Sequence, residues 1–173
     1  MSRVTDGVQI REMTVSDASA IVSLNQSVVS VTSPMDRKKF GNLFELSTSS
    51  PVAVLNGKCV GFLIAIERGV DYDNDNDNFS WFTSCLNDFL YIDRVVVSSE
   101  CRGLGVGSLL YSHLFESARN TKQRRITAEI DVEPPNQPSL RFHEKMGFVE
   151  IGTRELASGK RVSMQVCRVR ELT

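Results

Sequence analysis

A hydrophobic run, Val95-Val96-Val97, leads into Ser98-Ser99-Glu100-Cys101-Arg102-Gly103-Leu104-Gly105-Val106-Gly107-Ser108, and an amphipathic pattern follows. Glycines let a backbone approach a ligand closely. The first turn of a helix presents N–H groups that have no intrahelical partner. With the helix dipole, such a turn makes an anion site, typically for phosphate. Arg102 adds a fixed positive charge beside it. The plainer alternative is that the three glycines only shape a tight strand-to-helix connection. Spacing tests two rival phosphate motifs. A Walker loop needs Gly-Lys-Ser/Thr, whereas Gly107 is followed by Ser108 and Leu109. A dinucleotide fingerprint needs glycine where Ser108 stands, although Glu129 and Asp131 lie about where an acidic ribose partner would fall.

These residues need elements to hold them. Val8 to Met13 alternates like a strand, and Thr14-Val15-Ser16-Asp17 has the form of a capping box before a helix carrying Ala20, Ile21, Leu24 and Val28. A second helix is predicted from Asp36 to Leu46. Pro51–Leu55 and Cys59–Ile66 read as strands joined by Asn56-Gly57, a strong hairpin signal. Gly69 to Asn78 reads as a polar loop and Asp88 to Val97 as the next strand. A helix from Gly105 to Asn120 has its apolar stripe at Val106, Leu109, Leu110, Leu114 and Ala118. Ile126–Val132 is a strand and Gln137–Lys145 a helix closed by Gly147. Phe148–Arg154 and Lys160–Val169 form a final hairpin around Ala157-Ser158-Gly159. Helices and strands so mixed imply an α/β (α+β) fold with a central mixed sheet and helices on its faces.

The chain has 173 residues, the size of one ordinary domain, and is read as a single domain, 1–173. Its 20 basic and 21 acidic residues leave a net charge of −1, against the basic excess expected of a nucleic-acid-binding domain. The short basic cluster Lys122 to Arg125 falls where a helix should end and complements its dipole. Cys59, Cys85, Cys101 and Cys167 show neither disulfide-framework nor zinc-ligand spacing, so no metal is expected and a reducing cytoplasm is the natural home. Asp71 to Asn78 has alternating acids, but glycine and glutamate are missing from the positions an EF-hand requires. The N-terminal residues have no apolar signal-peptide core, and no apolar run nears the ~18 residues of a membrane span. Neither nucleic acid nor membrane is an expected partner.

Arg102-Gly-Leu-Gly105-Val-Gly107 resembles the (Gln/Arg)-x-x-Gly-x-(Gly/Ala) acetyl-CoA motif of the GNAT superfamily of N-acetyltransferases. Downstream, Asn136-Gln-Pro-Ser139-Leu-Arg-Phe142-His143-Glu-Lys-Met-Gly147-Phe148 is similar to that family's second motif, in the family's order and spacing. The resemblance covers nearly the whole chain. It implies a mostly antiparallel seven-stranded sheet, splayed at the middle to admit pantetheine, with about four helices. It also implies that Val95, Val96 and Val97 meet pantetheine through their backbone. Arg102, Gly103, Leu104, Gly105, Val106, Gly107 and Ser108 would hold the pyrophosphate, and Asn136, Ser139, Phe142 and His143 would lie along the cofactor. The implied activity is direct acetyl transfer from acetyl-CoA to a primary amine in a ternary complex. The competing readings are a non-catalytic CoA-binding sensor and a nucleotide-binding α/β domain. Dimers are common in the superfamily and favoured by general base rates, so a homodimer is one assembly the chain could form, its oligomeric state being open in the sequence.

An alkylammonium with a pKa near ~10 is mostly protonated and cannot attack a thioester, so such an enzyme needs a base. Asp131 is the favoured base, five residues before Asn136 where relatives carry an acid. Glu129 alternates to the same side and is second, and Asp93 on the neighbouring strand is third. His143 stands where many relatives have a tyrosine acid, and Tyr91 is the other candidate acid. His113 is read as structural. Trp81 and Phe82 follow the acidic loop; the acids would draw in a cationic amine and the aromatics would pack against it. The alternative is that both rings anchor the loop to the core.

Overall fold

The computed structural model describes residues 7–30, 32–72 and 76–170. In chain order the elements are β1 (Val8–Glu12), α1 (Ala18–Gln26), α2 (Arg37–Leu46), β2 (Pro51–Leu55), β3 (Lys58–Glu67) and α3 (Asp77–Cys85). There follow β4 (Leu90–Val97), α4 (Val106–Asn120), β5 (Arg125–Glu133), α5 (Gln137–Lys145), β6 (Val149–Glu155) and β7 (Arg161–Arg168). The seven strands form a mixed sheet in the order β1-β2-β3-β4-β5-β7-β6. The β1–β2, β2–β3, β5–β7 and β6–β7 pairs are antiparallel. β4 and β5 run parallel, with Leu90 opposite Ile126 and Tyr91 opposite Thr127. The mostly antiparallel seven-stranded sheet is the one expected.

Among the described residues there are five α-helices rather than about four, and the addition is α3. Its start is set by Asn76, whose side-chain carbonyl accepts from the backbone N–H groups of Asn78 and Phe79 at 2.9 and 3.1 Å. That is an N-cap. The helix buries Phe79 and Phe82, one turn apart, so core packing rather than helix propensity holds a polar segment in this form. Elsewhere the local signals act as expected. Asn56 and Gly57 adopt φ of 50° and 75°, the left-handed pair of a two-residue hairpin turn. Asp17 accepts from the Thr14 backbone N–H at 2.8 Å, one half of the capping box. The Arg11 guanidinium, at 2.8 Å, holds the Asp17 carboxyl down to about 2.

The structure divides into two compact units, Met1–Ile66 with Ile92–Ser117, and Glu67–Tyr91 with Ala118–Thr173. In the first, β3 passes β4 and α4 so closely that a Cβ on Gly61 would lie 3.1 Å from the Val96 carbonyl oxygen and 3.2 Å from Val106 Cγ1. Backbone gives way poorly. Gly61→Ala is expected to cost about 1–3 kcal/mol, read as a lower urea midpoint at unchanged slope. His113 Nε2 meets Glu12 Oε1 at 2.7 Å, tying α4 to β1. In the second unit Phe79 packs edge-on against Tyr72, Phe89 and Tyr91, with centroids 5.4–5.5 Å apart, the geometry that aromatic quadrupoles favour.

Candidate active site

In the first unit, the alternation of β4 buries Arg94 and Val96 and leaves Val95 and Val97 half-buried. These two valines are the ones whose backbone the family resemblance expects to meet pantetheine. After a short 3-10 turn at Ser99–Cys101, Arg102 is exposed and Gly103 and Gly105 take φ of 75° and 88°. At Gly103 an added Cβ would meet nothing within 4 Å. The glycine is therefore needed for its left-handed backbone and not for want of space. The Leu109 N–H bonds to the Gly105 carbonyl at 3.1 Å, so the N–H groups of Val106, Gly107 and Ser108 belong to the uncommitted first turn of α4. No acid lies in that turn. Left-handed glycines, an acid-free helix start and an exposed arginine together suit a pyrophosphate.

Asp93, the third candidate base, is engaged. Its Oδ2 accepts from Arg94 Nε at 2.7 Å, with both side chains under 5% exposed. Arg94 also donates to Asn25 Oδ1 at 3.0 Å and to the Ser33 carbonyl and hydroxyl at 3.2 and 3.1 Å. This buried arginine pins β4 to α1 and to the loop that follows it.

In the second unit the structure brings Tyr91 and Glu129 together. The Tyr91 hydroxyl is fully buried, donates to Glu129 Oε1 at 3.0 Å and accepts from Asn76 Nδ2 at 3.1 Å. Because the amide can only donate there, the phenolic hydrogen is directed at the carboxylate. Asn76 thus does two things, capping α3 and orienting Tyr91. Sequence reasoning missed it, and its one signal was an Asn ahead of an aromatic run.

Asp131, half-buried on the same strand as Glu129, pairs with Lys160 through Oδ2 and Nζ at 2.8 Å. Lys160 was also missed. Nothing local marks a lysine 29 residues from its carboxylate.

Asn136 caps α5, its side-chain oxygen accepting from the Ser139 N–H at 3.3 Å. His143 is buried, and its Nδ1 lies 2.8 Å from the Ser139 carbonyl. A carbonyl only accepts, so Nδ1 carries the hydrogen and, in the neutral ring, Nε2 has none. Burial pushes the His143 pKa below its ordinary 6.5, outweighing the Ser139 carbonyl bond that raises it. The ring is therefore mostly neutral at pH 7 and a poor acid. Its folded pKa is lowered, so the stability it contributes is present above about 6.5 and is lost as pH falls through the folded value. Melting temperatures measured between pH 7 and 5 should fall less for His143→Gln than for the natural chain.

Phe142 is half-buried, edge-on to His143 with centroids 5.5 Å apart. Phe82 is fully buried and packs at a tilt against Tyr91 in the core. Trp81 is half-exposed and lies against β6, where a Cβ on Gly152 would come 2.8 Å from its ring. Arg154 of β6 donates to Asn78 Oδ1, a second tie to α3. Asp73, Asn74 and Asp75, the middle of the acidic loop, lie outside the described residues.

A family model described as "Acetyltransferase (GNAT) family" matches residues 20–148, spanning the glycine turn and α5. The chain belongs to the GNAT family. Phosphinothricin N-acetyltransferase of Streptomyces viridochromogenes is 35% identical over 80 residues, 46% of this chain and 43% of that relative. The enzyme of that name from Streptomyces coelicolor is 39% identical over 59 residues, 34% of this chain and 33% of it. The chain thus matches less than half the length of these relatives. Among solved structures, Ard1 from Thermoplasma volcanium superposes with TM-score 0.78 at 19% identity, covering 95% of this chain and 99% of that one. The ribosomal-protein-S18-alanine N-acetyltransferase from Escherichia coli gives 0.71 at 17%, covering 96% of each. At such identities these two show that the GNAT fold is shared. Among the described residues no group of histidine, cysteine, aspartate or glutamate is arranged to hold a metal ion, and no helix is long and apolar enough to cross a membrane.

Proposed function

We propose that this chain, acting as one module, transfers the acetyl group of acetyl-CoA to a primary amine by direct attack in a ternary complex. The observation that carries the reading is the turn from Arg102 to Ser108, an acid-free helix start behind two left-handed glycines within a GNAT-family chain. The backbone of Val95 and Val97 would pair with pantetheine amides, and the N–H groups of the turn would hold the pyrophosphate with Arg102. Asn136, Ser139 and Phe142 contribute from the first turns of α5. Acetyl-CoA, when bound, supplies an activated thioester acetyl.

Asp131 is the base, taking the proton from the acceptor's ammonium. Its own partner is the partly exposed ammonium of Lys160, which solvent and an incoming amine can displace, whereas the buried Tyr91 hydroxyl occupies Glu129 and an enclosed guanidinium holds Asp93. No dedicated acid is required. A thiol of pKa ~8.5 is a competent leaving group near neutrality and takes its proton from solvent. Tyr91 and His143 then act by position, Tyr91 by holding Glu129 and His143 by packing α5.

The acceptor we favour is a small amine of amino-acid type, because the curated relatives are named for phosphinothricin. Trp81, half-exposed against β6, packs on its body. Trp81→Ala is expected to raise the acceptor KM several-fold while leaving acetyl-CoA binding unchanged. Equal loss of both would remove Trp81 from the acceptor site. The unpaired cysteines accord with a cytoplasmic location, and a homodimer is the assembly to look for by light scattering. The decisive experiment is calorimetric titration with acetyl-CoA, with NAD and ATP as controls, followed by an amine screen for thiol release. Selective 1:1 binding supports the reading, and failure to bind acetyl-CoA or CoA ends it.

A further inference from the structure

We propose that Lys160 is itself an acetyl acceptor, modified within its own chain under base catalysis by Asp131. The inference rests on the acetyltransferase reading and on Asp131 as its base. The reaction needs an ammonium hydrogen-bonded to a carboxylate that can remove its proton, and Lys160 Nζ already stands 2.8 Å from Asp131 Oδ2. The two side chains are 36% and 20% exposed, so the pair is open to reagents. Arg11, Arg94, Arg125 and Arg161 also meet carboxylates, but a guanidinium keeps its proton and is no nucleophile at neutral pH. Lys160 brings a primary amine, the functional group that the reaction consumes.

The backbone holds this amine in place. The Lys160 carbonyl accepts from the Leu156 N–H at 2.8 Å, and the Gly159 N–H bonds to the Leu156 carbonyl at 2.9 Å, closing the turn from which Lys160 emerges. Gly159 supplies the left-handed residue, φ 83°. One strand over, Asp131 stands opposite Val162, two residues beyond Lys160. The carboxylate sits on β5 and the amine on the closed turn one residue before β7, its paired neighbour.

The step balances without a further reagent. Asp131 takes one proton from the Lys160 ammonium, and the freed nitrogen bonds to the acetyl carbon as the thioester C–S bond breaks. The second nitrogen proton is shed to water, and CoA leaves as a thiolate that is protonated from water. The products are Nε-acetyl-lysine and CoA. Acetylation removes the charge from Lys160, so the ion pair is lost and Asp131 is released for other amines.

The experiment incubates the full chain with acetyl-CoA and no added acceptor, then reads the peptide containing Lys160 by mass spectrometry. A single acetyl increment is expected there, appearing at a first-order rate that does not depend on protein concentration. Asp131→Asn should slow it by about 100-fold or more. Acetic anhydride, which needs no enzyme, should label Lys160 in both proteins, showing that the amine stays accessible, and an unchanged melting temperature should show that the variant is folded. An unmodified Lys160 in protein that turns over an added amine overturns this proposal alone. Equal labelling of the natural chain and Asp131→Asn overturns it too, because the modification is then spontaneous. Neither acetyl-CoA binding nor labelling overturns it together with the acetyltransferase reading.

Discussion

Asp131→Asn is expected to lower kcat/KM for the acceptor by about 10²–10⁴-fold, while the calorimetric affinity for acetyl-CoA stays unchanged. The substitution preserves size and one accepting oxygen but cannot take up a proton, and removing a positioned base typically costs this much. In free energy the loss is about 3–5 kcal/mol of barrier. Folding stability should hardly move. The ion pair broken is the one to Lys160, and partly exposed pairs contribute about 0–1 kcal/mol. Activity lost at an unchanged melting temperature therefore isolates chemistry from structure. Glu129→Gln supplies the comparison. If it abolishes turnover while Asp131→Asn does not, the base is Glu129, and the hydroxyl of Tyr91 that donates to it becomes part of the machinery.

Arg94→Ala is expected to have the largest effect on stability, about 3–5 kcal/mol, seen as a fall of roughly 6–20 °C in melting temperature. Arg94 and Asp93 are both almost fully enclosed, so the truncation leaves a buried carboxylate without its guanidinium. It also removes the donors to Asn25 Oδ1 and to Ser33, so β4 loses its tie to α1 and the following loop. Pairing the change with Asp93→Asn should recover part of the loss, because a neutral amide costs far less to bury than a charge. No recovery in the double variant would show that the hydrogen bonds to Asn25 and Ser33 carry the effect, rather than the charge.

Much of this was legible in the chain itself. The turn from Arg102 to Ser108 is contiguous, and its demands for left-handed residues and a helix start act on neighbours, so spacing alone exposed it. The hairpin at Asn56-Gly57 and the helix from Gln137 to Lys145 were legible for the same reason. Helix α3 was not. The polar loop read from Gly69 to Asn78 overlaps its start, and only the burial of Phe79 and Phe82 makes the helical form worth adopting.

The roles of the carboxylates were also beyond reach. Glu129 and Asp131 alternate on one strand and look equivalent in sequence, yet one receives a tyrosine 38 residues away and the other a lysine 29 residues away. Asp93 falls to the neighbouring Arg94, which is itself positioned by Asn25, 69 residues distant. The sequence by itself determined the family, the order of nearly all the elements and the glycine turn from Arg102 to Ser108, because hydrogen bonds between near neighbours in the chain enforce them. The tertiary structure decided which acid is engaged by what, because strand register and core packing bring together groups that no local rule connects.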